Sequence, residues 1–361
     1  KGATPNATGD VITKDDHVTT PYNASITLPG VLDDHPNDPS QKMRPDLTRF
    51  DVDHLGPDDY LSPDTRTIRY PGRGTWTINA DGTVLYVPRP GFVGRDGMNM
   101  IVFTNSLQRG EQELVVTVEP GPAAKPDTPT IAQNVTTSLA VLTNDTPGQN
   151  ADATPGSIDT TSVTFPTSGQ PAGATVSASS RALTVAEQGV YTADPTTGTI
   201  TFDPDPSFTG EALPVTYSAH DTVTRTDGRL VHNPVTTTLT VTVTPINPVA
   251  LNNWISTPVG KSVEIPVLGN DKPGAASAPL VTTSIRLRLT PGLPDGSKLY
   301  ADAKALLVAG DGTFARRADG VVVFTPVRGF AGQVPTIGYQ VSDTNGTNAR
   351  ATITVQVRTT G

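Results

Sequence analysis

The chain has 361 residues, with 26 Lys and Arg against 35 Asp and Glu for a net charge of −9, no Cys, 34 Pro and 33 Gly. That balance, with no cluster of bases, excludes an electrostatic grip on nucleic acid or an anionic bilayer; no stretch reaches the roughly 18 apolar residues of a membrane span, and without Cys there is no disulfide framework. Dense Thr, Val, Pro and Gly favour short strands and turns over helices, and a prior of roughly 100 to 200 residues per domain gives two or three domains.

In chain order, the first apolar phrase is Val31-Leu32-Asp33-Asp34. Asx residues just after a strand cap a turn by bonding nearby backbone amides. An Asp- and His-rich stretch leads to Tyr60, after which Leu61, Ile68 and Tyr70 predict a hairpin with Arg66 near its tip. Apolar residues at i and i+2 share one face of a strand. Gly74-Thr75-Trp76 follows, then an Asp81-Gly82 turn and a strand over Thr83 to Val87 stopped by Pro88. Proline has no amide hydrogen for the ladder. Phe92-Val93-Gly94, Ile101 and a turn at Asn105 precede a closing strand over Leu114 to Val118.

The same order recurs twice. The second unit reads Val141-Leu142-Thr143-Asn144-Asp145, then Val176, Arg181, Leu183 and Val185, then Gly189-Val190-Tyr191, Thr197-Gly198, Phe208-Thr209-Gly210, Tyr217, Asp221 and Leu239 to Val243. The third reads Val267-Leu268-Gly269-Asn270-Asp271, then Leu299, Lys304, Leu306 and Val308, then Gly312-Thr313-Phe314, Asp319-Gly320, Phe330-Ala331-Gly332, Tyr339, Asp343 and Ile353 to Val357. The segment 298–308 has near-helical spacing, but its counterparts contain Ser-Ser and Ser-Pro, so all three are hairpins. Glycine to Phe is 18, 19 and 18 residues, and Phe to Phe is 116 and then 122. A repeat far longer than the roughly 20 to 50 residues of a solenoid is a tandem of whole domains. The expected architecture is all-β: three antiparallel Ig-like or cadherin-like β-sandwiches, at 1–121, 122–246 and 247–361, joined by Pro-rich linkers at 119–129 and 244–253 into an elongated rod.

The run Gly173-Ala174-Thr175-Val176 through Arg181-Ala182-Leu183-Thr184-Val185, with Gly189-Val190-Tyr191 and Thr199 to Pro204 leading to Phe208-Thr209-Gly210, resembles the CshA-type fibril repeat of Gram-positive surface adhesins. The third unit matches as well; the first matches in its second half and diverges between Asp33 and Tyr60. The resemblance implies a fibrillar stalk on a bacterial cell surface that projects an adhesive region from the wall, with neighbouring repeats as partners and no catalytic residue or cofactor. A Cys-free extracellular chain suits that setting, and both ends are expected to be cut from a longer protein. Two other readings are open: a first unit that recognises a host surface protein or glycan, and accessory β-domains of a secreted polysaccharide-active enzyme.

The chemistry-bearing residues are few. Asp33, Asp34, His35, Asp53 and His54 place imidazoles beside carboxylates, a set suited to a transition metal, or to calcium through the carboxylates alone; solvated turn-forming acids explain them equally simply. Asp127, Asp145 and Asp271 lie where calcium would clamp a linker. The eight lysines do not recur at an inward position, as an isopeptide crosslink would need. His220 and Asp221 have no Gly-x-Ser-x-Gly elbow to serve. Trp76, Tyr191 and Phe314 are expected in the core, and Arg66, Arg181 and Lys304 at solvated hairpin tips. Trp254 has no aromatic counterpart.

Overall fold

The computed structural model describes residues 11–52 and 55–359, and among them there are strands and single-turn 3-10 helices but no α-helix. Every ladder closes inside one of three regions, at 11–118, 130–244 and 253–358. Each region repeats a five-stranded antiparallel sheet. In the first the order is Ile26–Leu28, Val84–Pro88, Gly74–Ile78, Thr67–Tyr70 and Tyr60–Leu61. The other two put Thr137–Leu139 and Val263–Ile265 at one edge, and Thr175–Val176 and Lys298–Leu299 at the other. The 298–308 segment is therefore a hairpin, with Lys298–Leu299 paired to Ala305–Val308.

The facing sheet is built on the last long strands. Gly94–Phe103 pairs with Arg109–Val118, Val215–Thr224 with Pro234–Leu239, and Ile337–Ser342 with Asn348–Arg358, all antiparallel. A separate apolar core fills each region between its sheets. One expectation is corrected: the sandwiches are not wholly antiparallel. Asp16–Thr20 lies parallel to the end of the last strand of its region, as do Thr130–Ala132 and Asn253–Pro258. Strands about a hundred residues apart share no hairpin turn, so the direction of pairing is not constrained by one.

The register explains the repeated Gly-x-aromatic motif. Trp76, Tyr191 and Phe314 are fully buried opposite Tyr86, Phe202 and Phe324, with ring centroids 4.4, 4.3 and 4.6 Å apart. The glycine two residues earlier faces the strand-ending proline, and the partner's ring lies over it: a Cβ on Gly74, Gly189 or Gly312 would meet a Tyr86, Phe202 or Phe324 side-chain atom at 2.7, 2.8 or 2.5 Å. Glycine is required there because the aromatic pair occupies the volume of its side chain.

Two further expectations change. Arg66 and Arg181 are not solvated tips; their guanidiniums donate to the carbonyls of Pro45, Thr48 and Asn79, and of Thr161 and Val163. A planar fork of five donors suits a cluster of turn carbonyls, whereas Lys304 meets only the exposed Asp302 carboxylate. In the first region the residue on the core face is Met100, opposite Gln112, as Tyr217 is opposite Thr237 and Tyr339 opposite Ala351. Ile101, one residue on, faces the other side, since alternate strand residues point to opposite faces.

Candidate functional site

Each region is closed by one carboxylate-centred latch that ties its entry segment to its body. Asp34, Asp145 and Asp271 accept the backbone amides of Lys14, Lys125 and Leu251 at 2.9, 2.9 and 2.8 Å. Two residues after each donor comes a second polar group: Asp16, Asp127 or Asn253. The two latch positions are 18 residues apart in every case. In the second region the Tyr217 hydroxyl sits among Asp127 Oδ2 at 2.8 Å, the Val141 carbonyl at 2.9 Å and Asp145 Oδ2 at 3.4 Å. In the third, Tyr339 Oη is 2.9 Å from both Asp271 oxygens and 3.2 Å from Asn253 Nδ2.

A phenol carries one proton, so the acceptors around Tyr217 compete for it, and burial raises the affinity of Asp127 and Asp145 for a proton of their own. Burial likewise pushes Asp271 and both tyrosines up. The first region has Met100 in place of the tyrosine. Asp16 accepts from the Gly30 amide at 2.7 Å, but Asp34 Oδ2 and both polar atoms of buried Gln112 are unpartnered. Burial then pushes Asp16 up to about 6 and Asp34 up to about 7.

The sequence candidates separate on this frame. Asp33 ends a 3-10 turn and pairs through Oδ2 with Lys14 Nζ at 2.9 Å. Asp34 is buried in the latch, whereas His35 is exposed on a two-residue strand paired with Ile12. Asp53 and His54 lie outside the described residues. Among the described residues no three His, Asp or Glu side chains are grouped as a metal ion would need. His220 is partly exposed while Asp221 is fully buried on the opposite face of the same strand, accepting the amides of Gly148 and Asn233 at 2.8 and 2.9 Å; the two cannot act on one substrate.

The segments between regions are also tied by hydrogen bonds. Ala123 and Thr146 exchange backbone bonds, as do Val249 and Lys272, so each linker is held by the region that follows it. Between the second and third regions stands Gln133, fully buried. Its amide donates to the Pro206 carbonyl at 3.0 Å and its oxygen accepts from Asn345 Nδ2 at 2.7 Å, while Ser277 Oγ also donates to Pro206. Sequence reading missed Gln133 because a lone Gln in a polar stretch carries no pattern.

Tandem all-β regions with structural latches and tied linkers define a repeat protein of the Ig-like or cadherin-like sandwich class. Residues 126–243 and 258–357 match the family described as Surface adhesin CshA repetitive domain; the two stretches make up more than half of the chain, which belongs to that family. Among solved structures, the I-band fragment I67-I69 from titin is similar at 10% identity and a TM-score of 0.35, over 96% of this chain and 97% of that one. Mouse cadherin-23 EC22-24 gives 16% and 0.27, over 96% of each chain; protocadherin gamma C5 EC1-3 gives 11% and 0.34, over 95% of this chain and 100% of that one. No curated protein matches. Among the described residues no helix is long and apolar enough to cross a membrane.

Proposed function

We propose that this chain is a non-enzymatic length of stalk from a wall-anchored bacterial surface adhesin, in which residues 1–121, 122–246 and 247–361 are three domains in series. The observation that carries the reading is the latch: the same acceptor, amide donor and 18-residue spacing occur in every region, so the polar groups the repeats share serve to tie entry strand to body. Asp16, Asp34, Asp127, Asp145 and Asp271 are in this reading structural groups. Strands of eight to ten residues at about 3.3 Å give each domain a length of roughly 30 to 40 Å.

Small-angle scattering of the chain tests this. Three domains in line have a largest dimension of roughly 100 to 120 Å, whereas one compact body of this length has a radius of gyration of about 21 Å and a largest dimension near 60 Å. The extended value is expected; the compact one would refute the stalk.

A further inference from the structure

The outer face of one sheet in the third region differs in charge from its two counterparts. Its four main strands are Arg286–Arg288, Ile337–Ser342, Asn348–Arg358 and Asn253–Pro258. They contain Arg286, Arg288, Arg350 and Arg358 and no Asp or Glu. Among the described residues none of these four arginines is ion-paired. On the same face of the first region the bases are neutralised: Arg95 and His17 meet Glu113, and Arg109 meets Glu111. In the second region, Val215–Thr224 and Pro234–Leu239 carry no Lys or Arg. The contrast extends to whole segments, since 247–361 holds 11 bases against seven acids, a net of +4, and 1–246 has a net of −13.

The register places these groups in a pattern. Arg286, Gln340 and Arg350 lie side by side across three strands, and Arg288 and Gly338 are neighbours in the next row. Gln340 Oε1 accepts from Arg350 Nε at 3.0 Å and lies 3.5 Å from an Arg288 nitrogen, so two guanidiniums converge on one neutral oxygen. Gly338 has no side chain, and two adjoining hollows of about 300 and 320 Å³ share Arg288 and Leu289 as walls. Four residues along the strand from Arg350, at Thr354, the neighbouring edge strand presents Trp254, 62% exposed, with Arg358 over its ring at 5.9 Å. An exposed indole of that size on a face without acids is unexplained by packing.

We propose that this face binds an anionic polysaccharide, with its sulfate or carboxylate groups on Arg288 and Arg350 and a sugar ring against Trp254. Guanidinium forks recognise planar or tetrahedral oxyanions by paired hydrogen bonds. The polar floor of Gln340, Thr352 and Gly338 suits hydroxyl groups, and a flat indole suits the flat face of a pyranose. An acidic peptide would instead add its backbone to a sheet edge, and these guanidiniums stand on the face. The inference is independent of the stalk reading, since it concerns one face of one region.

Calorimetry of the full chain with heparin, hyaluronan, polyglutamate and neutral dextran tests it. Binding of heparin or hyaluronan is expected at low ionic strength and to weaken as salt rises. The double variant Arg288→Gln/Arg350→Gln should weaken it at least tenfold and Trp254→Ala several-fold, with the same melting midpoint as the parent. Arg95→Gln/Arg109→Gln in the first region should leave it unchanged. No binding of either glycan, polyglutamate bound as tightly as heparin, or equal losses in the first-region variant would overturn the proposal.

Discussion

Replacing Gly312 by Ala puts a methyl carbon 2.5 Å from Phe324 Cζ and 2.5 Å from the Thr325 carbonyl oxygen. Real Cβ contacts start near 3.4 Å, so neighbours must give by almost 1 Å. The ring is fully buried against Phe314, and the carbonyl belongs to the ladder in which Gly312 faces Pro326. Neither moves freely, which places the cost in the upper part of the roughly 1 to 3 kcal/mol range for overpacked cores. At about 2 kcal/mol, amides that exchange by opening of the third region should exchange about 30-fold faster. Hydrogen-exchange mass spectrometry of the full chain reads this in peptides spanning 305–326, with peptides from 11–118 as an internal control. Phe324→Leu shortens the offending side chain, so the double variant should lose less than the two single losses combined. Unchanged exchange in 305–326, or additive losses, would refute the idea that the glycine exists to seat the aromatic pair.

Three other outcomes follow from the latches. Asp16 and Asp34 bind a proton more tightly folded than unfolded, so the first region should be more stable at about pH 5 than at about pH 8, losing stability as pH rises through about 6 and 7; melting of Asp34→Asn across that window should show a flatter dependence. Tyr217→Phe removes the hydroxyl shared by Asp127, Val141 and Asp145 and should cost about 1 to 3 kcal/mol in urea denaturation, with exchange protection lost first in 123–146. Because the latch carboxylates are held by amides and phenols, the melting midpoint should be the same with calcium and with chelator; a rise with calcium would reveal a cation bound by the folded form.

Local patterns were legible in the sequence, and long-range ones were not. The Gly-x-aromatic phrase, the Asp-Gly turns and the strand-ending prolines each act within about twenty residues, and their positions read directly. The pairing of Asp34 with the Lys14 amide was hidden because the donor is backbone, which carries no letter of its own. Counting from Phe-x-Gly put Ile101 where Met100 belongs, because a one-residue difference between strands reverses their faces. The Asp- and His-rich stretch read as a candidate metal set from composition alone, whereas the structure puts Asp34 inside and His35 outside. The arginine face of the third region is spread over residues 254 to 358, and no window along the chain gathers it.

The strand that opens each region runs beside the strand that closes it, in the same direction. A pull along the chain therefore drags these two strands past each other lengthwise, and their hydrogen bonds resist together instead of opening one at a time like a zip. The overlap is five residue pairs in the first region, three in the second and six in the third. Under load the middle region is the one that yields first, acting as a mechanical fuse between two stronger links.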